Sequence, residues 1–240
     1  MHYWLVMPAA GAGRRFGGRK QFATLGVRSV LEVALRPFLD DPQCLGGSIA
    51  LAPGEPRRDE LLQRVPTRFA LIEGGAERVH SVINGLRALA ARAASADWVL
   101  VHDAVRPCLS AADLARLLAS AVEGGDGALL AVPVSDTVKQ VQPAAPGGPV
   151  IHPRCAGTIP RDTLWLAQTP QMFRQAALCA ALEQAVAAGR IPTDEAQAME
   201  WQGVAALLVR AHDHNIKVTN AADLGLAQAI LAAREEGRWA

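Results

Sequence analysis

The sequence predicts an α/β domain built on a largely parallel β-sheet. Three observations carry that prediction. Short apolar runs of strand length alternate with runs of helical periodicity over residues 2–134, the order that lays parallel strands side by side beneath crossover helices. The first apolar run leads straight into a glycine-rich loop. The chain has 240 residues, half of them apolar and 20% charged, enough to bury one sizeable core without disulfides or metal.

The elements follow in order. His2 to Met7 has the length and apolarity of a buried strand. Val30 to Leu39 reads as a helix. Ser48 to Ala52 and Phe69 to Ile72 read as short strands, with a charged, proline-flanked helix between them near Glu60. From Glu77 to Ala94, Val79, Val82, Ile83, Leu86 and Leu89 recur at helical spacing. Asp97 to His102 is a strand, Ala111 to Val122 a helix and Ala128 to Val134 a strand. There the alternation stops. Residues 135–160 hold Pro143, Pro146, Pro149, Pro153 and Pro160, with one β-type piece from Thr137 to Gln142 and no helical pattern. So long a non-helical excursion reads as an extended β-arm toward a partner rather than as a linker. Helices resume at Arg174 to Ala188 and Asp194 to Trp201. A strand at Ala205 to Val209 and a short one at Ile216 to Val218 follow. Asn220 then caps a last helix that ends near Arg234. No internal repeat or composition break divides the chain, so residues 1–240 are expected to form a single domain.

Charge narrows the choice of partners. The 24 basic and 23 acidic residues leave a formal charge of +1, so no overall field favours nucleic acid or a membrane surface, and neither is expected as a partner. Apolar runs such as Gly127 to Val134 are too short to span a bilayer. No basic region precedes the first apolar stretch. Cys44, Cys108, Cys155 and Cys179 are dispersed, without a CxxC pair, and read as free thiols in a reducing, cytoplasmic setting. Only 3 residues, Lys20, Lys139 and Lys217, are lysines, against 21 arginines. A lysine kept against that bias suggests a place where a compact ammonium is required rather than a guanidinium fork.

Three segments carry chemistry. Pro8-Ala-Ala-Gly-Ala-Gly-Arg-Arg-Phe-Gly-Gly-Arg-Lys-Gln21 follows the first strand. Gly11 and Gly13 let amides approach an anion, and Arg14, Arg15, Arg19 and Lys20 surround them with positive charge, which points to phosphates. The dinucleotide fingerprint GxGxxG fails at Phe16, and the P-loop GxxxxGK[ST] fails because Arg19 precedes Lys20 and Gln21 replaces the hydroxyl residue. Glu73-Gly-Gly-Ala-Glu-Arg-Val-His-Ser81 enters a helix, where its two glycines offer amides to a base or phosphate and Ser81 and Arg78 point from the first turns. Val101-His-Asp-Ala-Val-Arg-Pro107 ends a strand on the edge where open α/β sheets bind ligands. Asp103 there suits a divalent cation or a structural pair with Arg106. His102 reads as a hydrogen-bonded core residue. Thr193-Asp-Glu195 equally suits a helix cap.

Taken together, PAAGxGxR with a downstream KQ, GGxxRxxSVxNGL, VHDAxRP, QTPQ, TDEA and NIKVT resemble the 2-C-methyl-D-erythritol 4-phosphate cytidylyltransferases of the non-mevalonate isoprenoid pathway. The resemblance runs from Val6 to about Leu231. It implies a Rossmann-like αβα sandwich, a nucleotidyltransferase fold whose β-arm builds a homodimer. It implies CTP and Mg²⁺, transfer of CMP to methylerythritol phosphate, and release of pyrophosphate. Pro8, Ala9, Ala10, Gly11 and Gly13 would wrap the nucleotide, with Gly75 and Ser81 near cytosine and ribose. Arg15, Lys20 and Lys217 would hold the phosphates at the reacting centre. Asp103 would lie at the Mg²⁺ site or orient the ribose. Arg106, Thr169 and Thr193 would contact the polyol phosphate, and Thr137 and Arg161 would reach the partner's site across the dimer.

The chain departs from the family pattern in four places. Arg19 stands where proline is common, the loop between Gly13 and Lys20 is compact, Val105 stands where alanine is usual, and the arm matches only at its ends. A cytidylyltransferase for ribitol 5-phosphate would share the CTP residues and differ around Arg161, Thr169 and Thr193. An NAD-dependent oxidoreductase is the rival of another class, opposed by the failed fingerprint and the cationic loop.

Overall fold

The computed structural model describes residues 1–13, 16–121, 125–142 and 152–238. Among them, seven strands form one sheet. In chain order these are β1 (Tyr3–Ala9), β4 (Cys44–Leu51), β5 (Phe69–Glu73), β6 (Trp98–Val101), β7 (Gly127–Pro133), β10 (Trp165–Arg174) and β11 (Leu207–Arg210). Across the sheet the order is β11-β7-β10-β6-β1-β4-β5. All neighbours pair in parallel except β10, which runs antiparallel to both β6 and β7. The predicted mixed α/β class with a mostly parallel sheet is the one observed.

The apolar alternation of β1 explains the two layers. Tyr3, Leu5 and Met7 pack on one face with helices α1 (Val30–Leu39), α2 (Arg58–Arg64) and α4 (Ala111–Ser120). Trp4 and Val6 pack on the other with α3 (Arg78–Leu89), α5 (Gln175–Ala187) and α6 (Glu195–Glu200). A central strand buried on both sides must be apolar throughout, whereas one face of a helix suffices. Caps set the helix starts: Ser29 and Glu32 form a capping box on α1, and Asn220 and Asp223 form one on α7 (Ala221–Glu235).

Three parts of the sequence reading are corrected or completed. The stretch Ile216 to Val218 is not a strand. Val218 N–H donates to the Val105 carbonyl at 2.8 Å, an anchor to the loop after β6 and not a ladder. The longest described strand, β10, occupies a stretch before Arg174 to which the sequence reading assigned no element. Its middle, Gln168-Thr169-Pro170-Gln171, is polar yet buried, and it contains the cis peptide Thr169–Pro170. Each side-chain amide or hydroxyl there has a partner: Gln168 meets Asn215, Thr169 meets the Asp103 amide, and Gln171 meets Asp194 and the Ala196 amide. A polar strand is stable in a core once its groups are hydrogen-bonded. Helix α3 also stops at Leu89, short of Ala94.

The arm is a β-ribbon separate from the main sheet. Strands β8 (Val138–Val141) and β9 (Cys155–Ile159) pair antiparallel, and Lys139 Nζ reaches Thr158 Oγ1 across them at 2.6 Å. The arm prolines Pro143, Pro146 and Pro149 lie outside the described residues. A small hairpin, β2 (Thr24–Leu25) and β3 (Arg28–Ser29), leads into α1.

Candidate active site

A cleft of about 490 Å³ opens at the carboxyl ends of the central strands. It lies beside β1, whose neighbours β4 and β6 are reached in opposite directions along the sheet, the position where loops part and ligands enter such folds. Residues 8–13, 20 and 21 form one wall, 75–78 and 81 a second, and 103–105 with 217 the floor.

The first wall is held by its own backbone. Gly13 has φ +66°, and a Cβ there would stand 1.8 Å from the Gly18 carbonyl oxygen, so no side chain fits. Buried Gln21 donates from Nε2 to the carbonyls of Ala9 and Gly11, at 2.8 and 3.0 Å. Lys20 opens a 3-10 turn ending at Phe22. On the second wall, Gly75 N–H donates to Ser81 Oγ at 3.1 Å, so Ser81 braces the glycine loop at the start of α3.

The floor is electrostatic. Asp103 is 6% exposed. Its carboxylate receives Arg78 Nε at 3.0 Å and Lys217 Nζ at 2.8 Å, and Arg106 Nε stands 3.8 Å away. Burial pushes the Asp103 carboxyl up, but Arg78, Lys217 and Arg106 outweigh it and hold it far below the usual carboxylate range. Arg78 also grips Glu195 with two nitrogens, at 2.6 and 3.0 Å. Burial opposes the charge on Arg78, and Glu195 and Asp103 restore it and hold its pKa above the ordinary value.

Behind the floor, His102 is fully buried, and desolvation pushes its imidazole down to about 4. Thr169 Oγ1 accepts from the Asp103 amide at 3.0 Å and lies 3.1 Å from His102 Nδ1, while His102 Nε2 lies 3.2 Å from the Arg106 carbonyl. One assignment of protons satisfies all four groups: Thr169 donates to Nδ1, and the neutral ring donates from Nε2. No general base emerges at this position. The amides of Gly74 and Gly75, expected from the sequence to be offered to a ligand, are instead bonded within the chain, to the Leu51 carbonyl at 2.7 Å and to Ser81 Oγ. A cleft that brings the ammonium groups of Lys20 and Lys217 beside a caged carboxylate suits a polyphosphate and the charge that develops during its transfer.

Residues 3–233 match the family described as IspD, 2-C-methyl-D-erythritol 4-phosphate cytidylyltransferase. The chain is 46% identical over 238 residues to the protein of that name from Halorhodospira halophila, covering 97% of this chain and 95% of the relative. It is 44% identical over 239 residues to the one from Ectopseudomonas mendocina, covering 98% of each. The crystal structure of the Francisella tularensis 2-C-methyl-D-erythritol 4-phosphate cytidylyltransferase superposes with a TM-score of 0.81 at 30% identity, over 96% of this chain and all of that one. The chain belongs to this cytidylyltransferase family. Its activity is transfer of CMP from CTP to 2-C-methyl-D-erythritol 4-phosphate, which makes the chain a nucleotidyltransferase of the isoprenoid pathway.

The cytidylyltransferase fold brings together Pro8, Ala9, Ala10, Gly11, Gly13, Lys20, Gly75, Ser81, Asp103 and Lys217, all predicted from sequence, around the one cleft. Arg15 lies outside the described residues. Arg106 is mostly buried and donates from Nη1 to the Asn215 carbonyl at 2.7 Å. Thr169 turns its hydroxyl inward and touches the cleft only through Asp103. Thr193 is exposed at the head of α6, where Asp194 is the cap and accepts from Gln197 N–H. Thr137 and Arg161 stand exposed at the base of the arm, where Arg161 donates to the Ser135 carbonyl, and neither lines the cleft of its own chain. Sequence reasoning placed Arg78 in the first turns of its helix without the carboxylates it grips, and missed Glu195, Gln21 and Asn215 as site-building residues. Asn215 is fully buried and donates to Gln168 and to the Thr169 carbonyl, both at 2.9 Å, which fixes the segment carrying Lys217. Their letters sit inside the recognised motifs, but nothing in the spacing announces that Arg78 meets a carboxylate in TDEA.

Proposed function

We propose that the cleft holds CTP with its base toward Gly75 and Ser81 and its phosphates toward Lys20 and Lys217, beside the polyol phosphate. The observation that carries this reading is the convergence of two of the chain's rare lysines with Asp103 on one cleft. The nucleophile is an oxygen of the substrate's own phosphate, already ionised at neutral pH. It forms a bond to the α-phosphorus, and the bond from that phosphorus to the bridging oxygen breaks. The electron pair leaves with pyrophosphate. No proton needs to be removed, which agrees with a site that offers cations rather than a base. The work of the chain is to offset repulsion between two anions and to stabilise the charge that grows on the α-phosphate and the leaving group.

The residues fit a Mg²⁺ ion of a particular kind. Among the described residues no three His, Cys, Asp or Glu side chains cluster as a metal cage. Asp103 offers one carboxylate, which suits an ion held mainly by substrate phosphate oxygens and water. Such an ion would neutralise phosphate charge, and Lys217 would yield part of its contact with Asp103 to admit it.

The exposed arm, with Leu166 at its base 59% exposed, supports a homodimer in which Thr137 and Arg161 complete the neighbour's polyol-phosphate site. No described helix is long and apolar enough to cross a membrane. Dispersed free thiols support a reducing, cytoplasmic setting. Mixing Lys217→Ala chains with Arg161→Ala chains tests the shared site. Mixed dimers should recover up to about one quarter to one half of the activity that either variant lacks alone. Recovery no greater than the sum of the two variants would remove the cross-dimer role.

A further inference from the structure

We infer that Glu55 and Arg57 form a clamp that holds the Lys20 turn at both ends and sets Lys20 in place before the nucleotide arrives. The inference deepens the reading of Lys20 as a phosphate-binding cation and rests on it. Three contacts carry it. Arg19, the residue before Lys20, places Nη1 on Glu55 Oε2. The Glu55 side chain is 3% exposed, whereas that of Arg19 is 41% exposed. At the other end of the turn, Arg57 Nη1 donates to the Phe22 carbonyl at 2.8 Å, and its guanidinium lies 5.1 Å from the centroid of the Phe22 ring. The clamp itself is tied together, since Arg57 N–H donates to Glu55 Oε1 at 3.2 Å. Both jaws come from the loop between β4 and α2.

The turn between the jaws is short. Phe22 N–H donates to the Arg19 carbonyl at 3.0 Å and Ala23 N–H to the Lys20 carbonyl at 3.1 Å. Fixing residues 19 and 22 therefore fixes the backbone of Lys20, whose side chain lines the cleft. Arg19 was counted among the loop's cations, but its charge is matched by a buried carboxylate and is not spent on phosphate. This gives a physical role to the arginine that stands where the family commonly has proline. Proline would stiffen that position through the chain itself, and here an ion pair to a neighbouring loop does so. Glu55, Arg19 and Arg57 are positioning residues that act through Lys20. Misplacing a charge donor by about 1 Å costs on the order of 10²-fold in rate, so a partly released turn should cost roughly 10- to 100-fold in kcat/KM for CTP.

The test uses Glu55→Gln, Arg19→Ala, the double variant and Arg57→Met in the full chain. Amide hydrogen exchange of Phe22 and Ala23 is read without nucleotide, followed by steady-state kinetics. A clamp predicts faster exchange at both amides in each variant. It also predicts a 10- to 100-fold loss in kcat/KM for CTP, little change in KM for the polyol phosphate, and a double variant no worse than the poorer single. If Arg19 instead binds phosphate directly, Glu55→Gln frees it and kcat/KM for CTP holds or rises while Arg19→Ala loses, which overturns the proposal. Unchanged exchange in the variants also overturns it. The exchange readout needs no substrate, so a failed clamp is told apart from a failed assignment of Lys20. Should Glu55→Gln not fold, the half-exposed Arg19→Ala carries the same readouts.

Discussion

Replacing Arg78 with methionine should damage the protein more than any loss of surface charge. The guanidinium makes three hydrogen bonds to two carboxylates, at 3.0 Å to Asp103 and at 2.6 and 3.0 Å to Glu195. In Arg78→Met, Asp103 keeps Lys217 at 2.8 Å. Glu195, 1% exposed, is left facing an apolar side chain. Breaking a buried pair on one side costs about 3–5 kcal/mol, because a charge stays desolvated without compensation. Arg78 keeps 29% of its side-chain exposure toward the cleft, so water reaches the gap and the lower end, about 3 kcal/mol, is expected. For a domain of this size that lowers Tm by roughly 6–12 °C. The assay is thermal unfolding at pH 7, beside Glu195→Gln and the double variant. Arg78→Met/Glu195→Gln should recover most of the loss, since removing both charges removes the uncompensated one. Turnover should stay low in the double variant, because Asp103 has lost the group that orients it. A Tm within about 2 °C of the parent, or a double variant no more stable than Arg78→Met, would refute the argument.

Other outcomes follow from the same geometry. Lys20→Ala and Lys217→Ala should each lower turnover by about 10²-fold or more, as loss of a preorganised charge donor does; near-normal turnover in either would take that residue out of the reaction. His102 carries a pH signature. Its folded pKa of about 4 lies below the unfolded value of about 6.5, so the unfolded chain binds the proton first. The stability it contributes is complete above about pH 6.5 and is lost as pH falls toward 4, by at most about 3 kcal/mol. Urea unfolding of His102→Gln should show a flatter profile over that window, and an unchanged slope would place the titration elsewhere.

How far the sequence reached depends on which interactions are local. Strand β1, helix α1 and helix α7 were legible because apolar periodicity and a cap within four residues define them. The cleft's glycines and Lys20 were legible as a cationic glycine loop directly after a strand, and Lys217 only through the family resemblance. Strand β10 was not, because its buried Gln168, Thr169 and Gln171 look like surface residues until Asn215, Asp103 and Asp194 are folded against them. The Arg78–Glu195 pair joins positions 117 residues apart, a distance at which sequence carries no geometric signal. Charge counting also misjudged one cation, since Arg19 is matched by Glu55. Lys139, which the sequence left without a role, meets Thr158 across the arm.

The central claim is that this cleft joins CMP to a branched polyol phosphate. The direct measurement is pyrophosphate release from CTP with Mg²⁺, comparing 2-C-methyl-D-erythritol 4-phosphate with ribitol 5-phosphate under the same conditions. The account predicts rapid release with the former and at least about 10²-fold lower kcat/KM with the latter, a gap of about 2.7 kcal/mol in transition-state binding. Equal or greater release with ribitol 5-phosphate would contradict the substrate assignment, and no release with either would contradict the reading of the cleft.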